Sequence, residues 1–256
     1  MTTQKEFNEY GELLEKILRM HTSPLAVKML ESEADIPDGA YRPKRDDGIH
    51  YSQCQAFAMS RRDKKTVAML KEDNWCPAPI TAYGLDDRPE RPDMVPGQAM
   101  GYYTLEPYKY IGILTAPLST ATYIPDLVLM YPTTNQLRSL MMAVPKEDVE
   151  TLHTHYFAPS CTYAIVNPLL TGEYWIVLPD PGETARAVAD DGEMMITIPA
   201  NRMDALMNRV KEMGERMGRF GLESRLMLHD FPQPDHYIKA FETWGMEHSE
   251  YGSYKI

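Results

Sequence analysis

The chain has 256 residues, 43% of them hydrophobic and 25% charged, the composition of a globular protein with a sizeable core. With 37 acidic against 26 basic residues its net charge is −11, which argues against a general binder of nucleic acid or of anionic membranes. No apolar run is long enough to span a bilayer, and Met1-Thr2-Thr3-Gln4-Lys5-Glu6 carries no signal pattern. The expected compartment is therefore the cytoplasm, where three cysteines stay reduced.

Thr3 and Glu6 form a capping box, and the stripe Phe7, Tyr10, Leu13, Leu14, Ile17, Leu18 predicts a first helix. Residues 24–30 (Pro-Leu-Ala-Val-Lys-Met-Leu) read as a strand. Residues 36–48 read as loop, broken by Pro37, Gly39, Pro43 and Gly48. Ser52 caps a helix that carries Cys54 and runs to about Arg61; a turn at 62–65 leads to a strand over 66–70. Pro77, directly after Cys76, marks the first position of a helix that reaches Tyr83 and stops at Gly84. Residues 86–98 are rich in proline and read as an exposed excursion, followed by a tyrosine-rich stretch and a strand near 110–114. A buried strand over 127–131 precedes a helix over 136–143. Pro159-Ser160 opens the helix of Cys161, Gly172 turns it, and strands follow at 174–178 and 194–198. Asn201 caps a last helix with Asp204 at its third position; Met203, Leu206, Met207, Val210, Met213 and Met217 line one face. The tail from Phe231 onward is aromatic and prolyl. The 18 methionines read mostly as core fillers.

This alternation predicts an α/β fold, with mixed sheets flanked by helices. Cys54 stands before the strand at Thr66 much as Cys161 stands before the strand at Tyr174. The echo suggests a single domain over 1–256 made of two related lobes, about 1–125 and 126–256, with a site between them and a C-terminal strap over 219–256.

All three cysteines fall in the first turn of a helix, where unpaired N–H groups and a partial positive charge favour a thiolate. Together Cys54, Cys76 and Cys161 are candidate ligands of an iron–sulfur cluster or a metal, although their spacing matches no compact cluster motif. Zinc is the rival, with His153 or His155 completing a set with Cys161; the plainer reading of His153-Thr154-His155 is an exposed polar loop. A dithiol switch between Cys54 and Cys76 is a third option. Arg186, after Pro181-Gly182 in a loop, is a candidate clamp for a carboxylate, set against a plain ion pair with Glu183 or Asp190. Arg61, Arg62, Lys64 and Lys65 read as cations at a helix C-terminus, or as a guide for an anionic substrate. No Walker loop, dinucleotide fingerprint, nucleophile elbow or HExxH motif is present.

Several of these pieces occur together in one known family. Residues 24–28 (Pro-Leu-Ala-Val-Lys), Cys54-Gln55-Ala56, Cys76-Pro77-Ala78 with Tyr83-Gly84-Leu85, Cys161 with its helix, Gly182 and Arg186, and residues 191–193 before Ile198-Pro199-Ala200 resemble the uncharacterised prokaryotic family called domain of unknown function 169. The resemblance covers roughly residues 24–210, and the family pattern has cysteines matching Cys54, Cys76 and Cys161. It implies no settled activity, and the segment around Tyr102 and the tail after Phe220 depart from it.

The expectation is a cytoplasmic iron–sulfur enzyme of anaerobic metabolism, of lyase or reductase type. In it Cys54, Cys76 and Cys161 hold a 4Fe-4S cluster with one open iron, and Arg186 is the catalytic residue that meets a small anionic substrate. The alternatives are a non-enzymatic small-molecule or tetrapyrrole (haem) binding module and a thiol redox sensor, with zinc or haem in place of the cluster. The expected partner is a small molecule, with no nucleic acid and no membrane; whether the chain forms a homo-oligomer is not legible.

Overall fold

Six short apolar runs and one polar run pair into a single sheet in the computed structural model of the chain, which describes residues 2–86, 104–155, 158–214 and 235–245. The strands are β1 (Leu25–Leu30), β2 (Val67–Leu70), β3 (Gly112–Pro117), β4 (Leu127–Met130), β5 (Leu152–His155), β6 (Tyr174–Val177) and β7 (Met195–Pro199). Their order is β2-β3-β1-β4-β7-β6-β5, and every neighbouring pair is antiparallel except β5 and β6. The central strands are apolar at successive positions because helices cover both faces.

One face carries α3 (Gln53–Arg62), α4 (Pro77–Ala82) and α6 (Ser160–Thr171), packed on Val27, Met29, Leu127 and Leu129. The opposite face carries α1 (Gln4–Leu18), α5 (Thr134–Ala143) and α8 (Met203–Met213), packed on Ala26, Val128, Ile196 and Ile198. Two short helices complete this unit, α2 (Pro43–Asp47) and α7 (Pro181–Arg186). The chain divides into two compact units, Met1–Gly218 and Arg219–Ile256; in the second the described element is α9 (Asp235–Thr243).

The internal echo has a topological counterpart. In the first half β1 leads through α3 to β2, and β3 inserts between β1 and β2; in the second half β4 leads through α6 to β6, and β7 inserts between β4 and β6. The halves meet antiparallel at the centre, with Leu25 opposite Leu129 and Val27 opposite Leu127. The two halves are joined through one sheet. The sheet crosses the junction unbroken, and Phe57 of one half shares a core with Ile165 of the other.

Several local expectations shift. The capping box of α1 is present, with Thr3 N donating to Glu6 at 2.7 Å. Residues 43–47 are helical rather than loop, because Pro43 occupies the first helical position and Gly48 closes the helix in a left-handed conformation (φ +71°). The strand expected near 110–114 begins two residues later, at Gly112. His153 and His155 lie on an edge strand, not a loop. Asn201 sits in a 3-10 turn and does not cap α8; Asp204 instead accepts from the hydroxyls of Tyr10 (2.9 Å) and Thr2 (2.7 Å). Most of the proline-rich excursion, Tyr102, Met217 and most of the expected strap lie outside the described residues. Among the described residues no helix is long and apolar enough to cross a membrane.

Candidate functional site: a cavity walled by three thiols

Four helix starts border one cavity. Cys54 is the second residue of α3, Cys76 immediately precedes α4, and Cys161 is the second residue of α6. Local sequence explains two of these starts, since Gln55 Oε1 accepts from Ser52 N at 2.9 Å and Pro77 opens α4; the start of α6 is held from a distance, by Asp180 Oδ2 accepting from Ser160 N at 2.8 Å. The fourth start is α7. Asp180 Oδ1 caps it by accepting from Gly182 N at 2.6 Å and Glu183 N at 3.1 Å, so one carboxylate ties the starts of α6 and α7 together. The cavity holds about 430 Å³, and Cys54, Cys76, Cys161, Gln53, Glu183 and Arg186 all line it. α3 and α4 come from the first half of the sheet and α6 and α7 from the second, so the cavity lies where the halves join.

The three cysteines are free thiols; Cys54 and Cys161 are buried, and Cys76 is less so. Cys54 Sγ lies 2.9 Å from Ser52 Oγ and 3.8 Å from the Gly182 carbonyl oxygen. The expected bias toward thiolates does not hold in this state. Burial pushes Cys54 up to about 11, and the Glu183 carboxyl adds to the effect. Burial also raises Cys76, and it raises Cys161 well above an ordinary thiol, with Cys54, Glu183 and Cys76 adding to it. Arg186 acts in the opposite direction on Cys54 and Cys76, so its guanidinium is felt at both sulfurs. Desolvation outweighs the helix starts because a thiolate in an apolar wall loses more hydration than the helix end returns.

Two further polar side chains stand in the wall. Glu183 is completely buried; its Oε2 accepts from Tyr131 Oη at 3.1 Å, and its Oε1 has no hydrogen-bond partner among the described residues. Burial, then the nearby Asp180 carboxylate, pushes Glu183 up to about 8, while Tyr131, Arg61 and Arg186 pull it down. Gln53 is 1% exposed, yet neither its amide nitrogen nor its amide oxygen has a hydrogen-bond partner among the described residues.

Arg186 ends α7 rather than lying in a loop, and its guanidinium sits over the Trp75 ring, 5.3 Å from the centroid. Gly182 leaves room for it: a Cβ there would stand 2.4 Å from an Arg186 terminal nitrogen. Of the two ion pairs weighed for Arg186, Asp190 pairs with Arg62 at 3.0 Å instead, while Glu183 makes no direct salt bridge among the described residues and feels the Arg186 charge only as a downward pull on its pKa.

The basic cluster does not present Arg61 to a substrate. That side chain is fully buried, donates to both Glu193 oxygens (3.1 and 3.2 Å) and to the Ala187 and Val188 carbonyls, and lies 4.1 Å over the Tyr131 ring. It pins the end of α3 to the loop after α7. The histidines stand apart from the thiols. His153 bonds to Glu173 Oε2 at 2.5 Å and stacks on Trp175, His155 stacks on Tyr163, and neither lines the cavity. Among the described residues no group of three or more His, Cys, Asp and Glu is set to hold a metal ion.

Sequence reading misses Asp180, Glu183 and Gln53. The first two had a signal: Asp180-Pro181-Gly182-Glu183 is an N-cap, a first-position proline and an acid at the third position, the signature of a fourth helix start. Gln53 had none, because its burial and lack of partners exist only in three dimensions.

Fold and site together define an α/β protein with one mixed seven-stranded sheet and a thiol-lined cavity at the helix starts on one face. The family model described as DUF169, uncharacterised ArCR, matches residues 13–209, and the chain belongs to that family. No curated protein and no solved structure matches it.

Proposed function

We propose that this cavity is the site of an iron–sulfur cluster held by Cys54, Cys76 and Cys161, in an enzyme of anaerobic type that acts on a small anionic substrate. The observation that carries the reading is that three cysteines remote in sequence line one cavity of about 430 Å³. The donor set fits, because an all-thiol site is soft and suits iron–sulfur chemistry. A cavity of about 430 Å³ has room for a polynuclear group as well as for a lone ion. A tetrahedral ion holds its sulfurs about 3.8 Å apart, given metal–sulfur bonds of about 2.3 Å.

When bound, a cluster with one iron free of cysteine supplies a Lewis acid at the substrate. The chain's own groups supply the rest. Arg186 places a fixed positive charge for a carboxylate and is steadied by the Trp75 ring. Glu183, oriented by Tyr131, holds a proton on its buried carboxyl at neutral pH. The raised thiols must release protons to become ligands, so cluster uptake strengthens as pH rises.

The same raised thiols weigh against a redox sensor, which needs readily ionised cysteines. No histidine lines the cavity among the described residues, which weighs against haem ligation through imidazole.

The test is anaerobic expression or reconstitution, with iron and acid-labile sulfide measured in the wild type, the three single Cys→Ser variants and one double variant. Each single variant should lose most of its iron, and the double variant should lose little more. Cysteines that only pack predict unchanged metal content and an additive cost of about 1 kcal/mol per site. A wild type that takes up neither iron nor sulfide overturns the reading.

A further inference from the structure

Gln53 is the side chain in the cavity that the cluster reading leaves unexplained. It sits at the start of α3 with 1% of its surface exposed, and both ends of its amide lack a hydrogen-bond partner among the described residues. A buried amide with neither bond made lowers stability, and such groups persist where function needs them. The same cavity wall holds the partnerless Oε1 of Glu183, and Arg186 borders the cavity from the exposed end of α7. An amide offers one donor and one acceptor side by side. A second carboxamide complements that edge, returning one acceptor and one donor in a two-bond pair and leaving only the outer N–H and lone pair of Gln53 for other groups.

We propose that Gln53 is a recognition subsite for a primary carboxamide on the ligand, whose carboxylate is taken by Arg186. The ligand class is therefore a small ω-carboxamido acid. This deepens the reading above by naming the substrate's two ends, but the amide pair needs no iron.

The experiment uses matched probes on the full chain. Succinamate and glutaramate carry a carboxylate and a carboxamide; levulinate and 5-oxohexanoate replace the amide nitrogen with a methyl group and keep the rest. Probes of this size should bind with Kd of about 1 mM, read by calorimetry or ligand-observed NMR. At one of the two lengths the amide should bind at least about fivefold more tightly than its ketone partner, since the ketone leaves the Gln53 acceptor and the cavity's other buried groups unpaired.

Gln53→Leu should abolish that preference while leaving ketone binding within about twofold. It should also raise the melting temperature by about 2–4 °C, because an unsatisfied buried amide is replaced by an apolar group of similar size. Arg186→Met should weaken amide and ketone probes alike.

Equal binding of amide and ketone at both lengths overturns the proposal, as does absence of binding by all four probes at about 10 mM. A preference retained in Gln53→Leu overturns it too. A melting temperature lowered by several degrees in that variant shows the amide to be structural, and refutes the subsite. Iron content separates the two readings: a wild type without iron ends the cluster proposal whatever the probes do, and a wild type with iron but no amide preference ends only this one.

Discussion

Glu183 offers the sharpest test of the physical picture, through the substitution Glu183→Gln. The carboxyl is completely buried, and burial is the main reason its pKa lies at about 8 instead of 4.5. In the unfolded chain the carboxyl loses its proton near 4.5; in the folded chain it keeps it to about 8. Between these values the unfolded state binds fewer protons, so this group makes stability fall as pH rises, by about 1.4 kcal/mol for each pH unit. Across the window the loss is about 5 kcal/mol, and above pH 8 it levels off. Glutamine has the same shape, can still accept from Tyr131 and does not ionise. The assay is urea unfolding of wild type and Glu183→Gln from pH 5 to pH 9, with the difference between them plotted against pH so that every other titrating group cancels. Glu183→Gln should gain on the wild type by several kcal/mol between pH 5 and pH 8, then hold constant. A difference that stays flat across the range refutes the argument, because it means the carboxyl ionises freely in the folded state.

Two further outcomes follow from the same structure. Arg61→Met should cost about 3 kcal/mol, because it leaves the buried Glu193 carboxylate only the Asp190 N–H and the more distant Arg62, and takes a donor from the Ala187 carbonyl; adding Glu193→Gln should recover part of that loss, and equal unfolding midpoints for the single and double variants would contradict it. In the apo protein at pH 7, iodoacetamide should modify all three cysteines more slowly than a free thiol, with Cys76 first because it is the least buried, and the rates should climb with pH; peptide mass spectrometry reads the order, and Cys54 reacting first at pH 7 would count against the burial argument.

Local chemistry was legible where it acts over a few residues. The Thr3 and Glu6 capping box, the stripe Phe7, Tyr10, Leu14, Leu18, the buried runs at β1 and β4 and the helix starts at Ser52 and Pro77 all rest on side chains that satisfy the adjoining backbone or repeat with the period of the element. The order strand, cysteine helix, strand in each half was readable for the same reason. Only the tertiary structure decided what those elements do together. Whether two similar halves form lobes or one sheet depends on which edges pair, and the register of β1 on β4 is set by contacts nearly a hundred residues apart in sequence. The helix starts suggested thiolates, but the state of a thiol depends on how much water the surrounding elements leave it, and burial reversed the sign. Gln53 became visible only when packing removed its solvent without supplying a partner among the described residues, and the raised pKa of Glu183 has the same origin, since a polar side chain's cost lies in the hydration it loses and the bonds it fails to make.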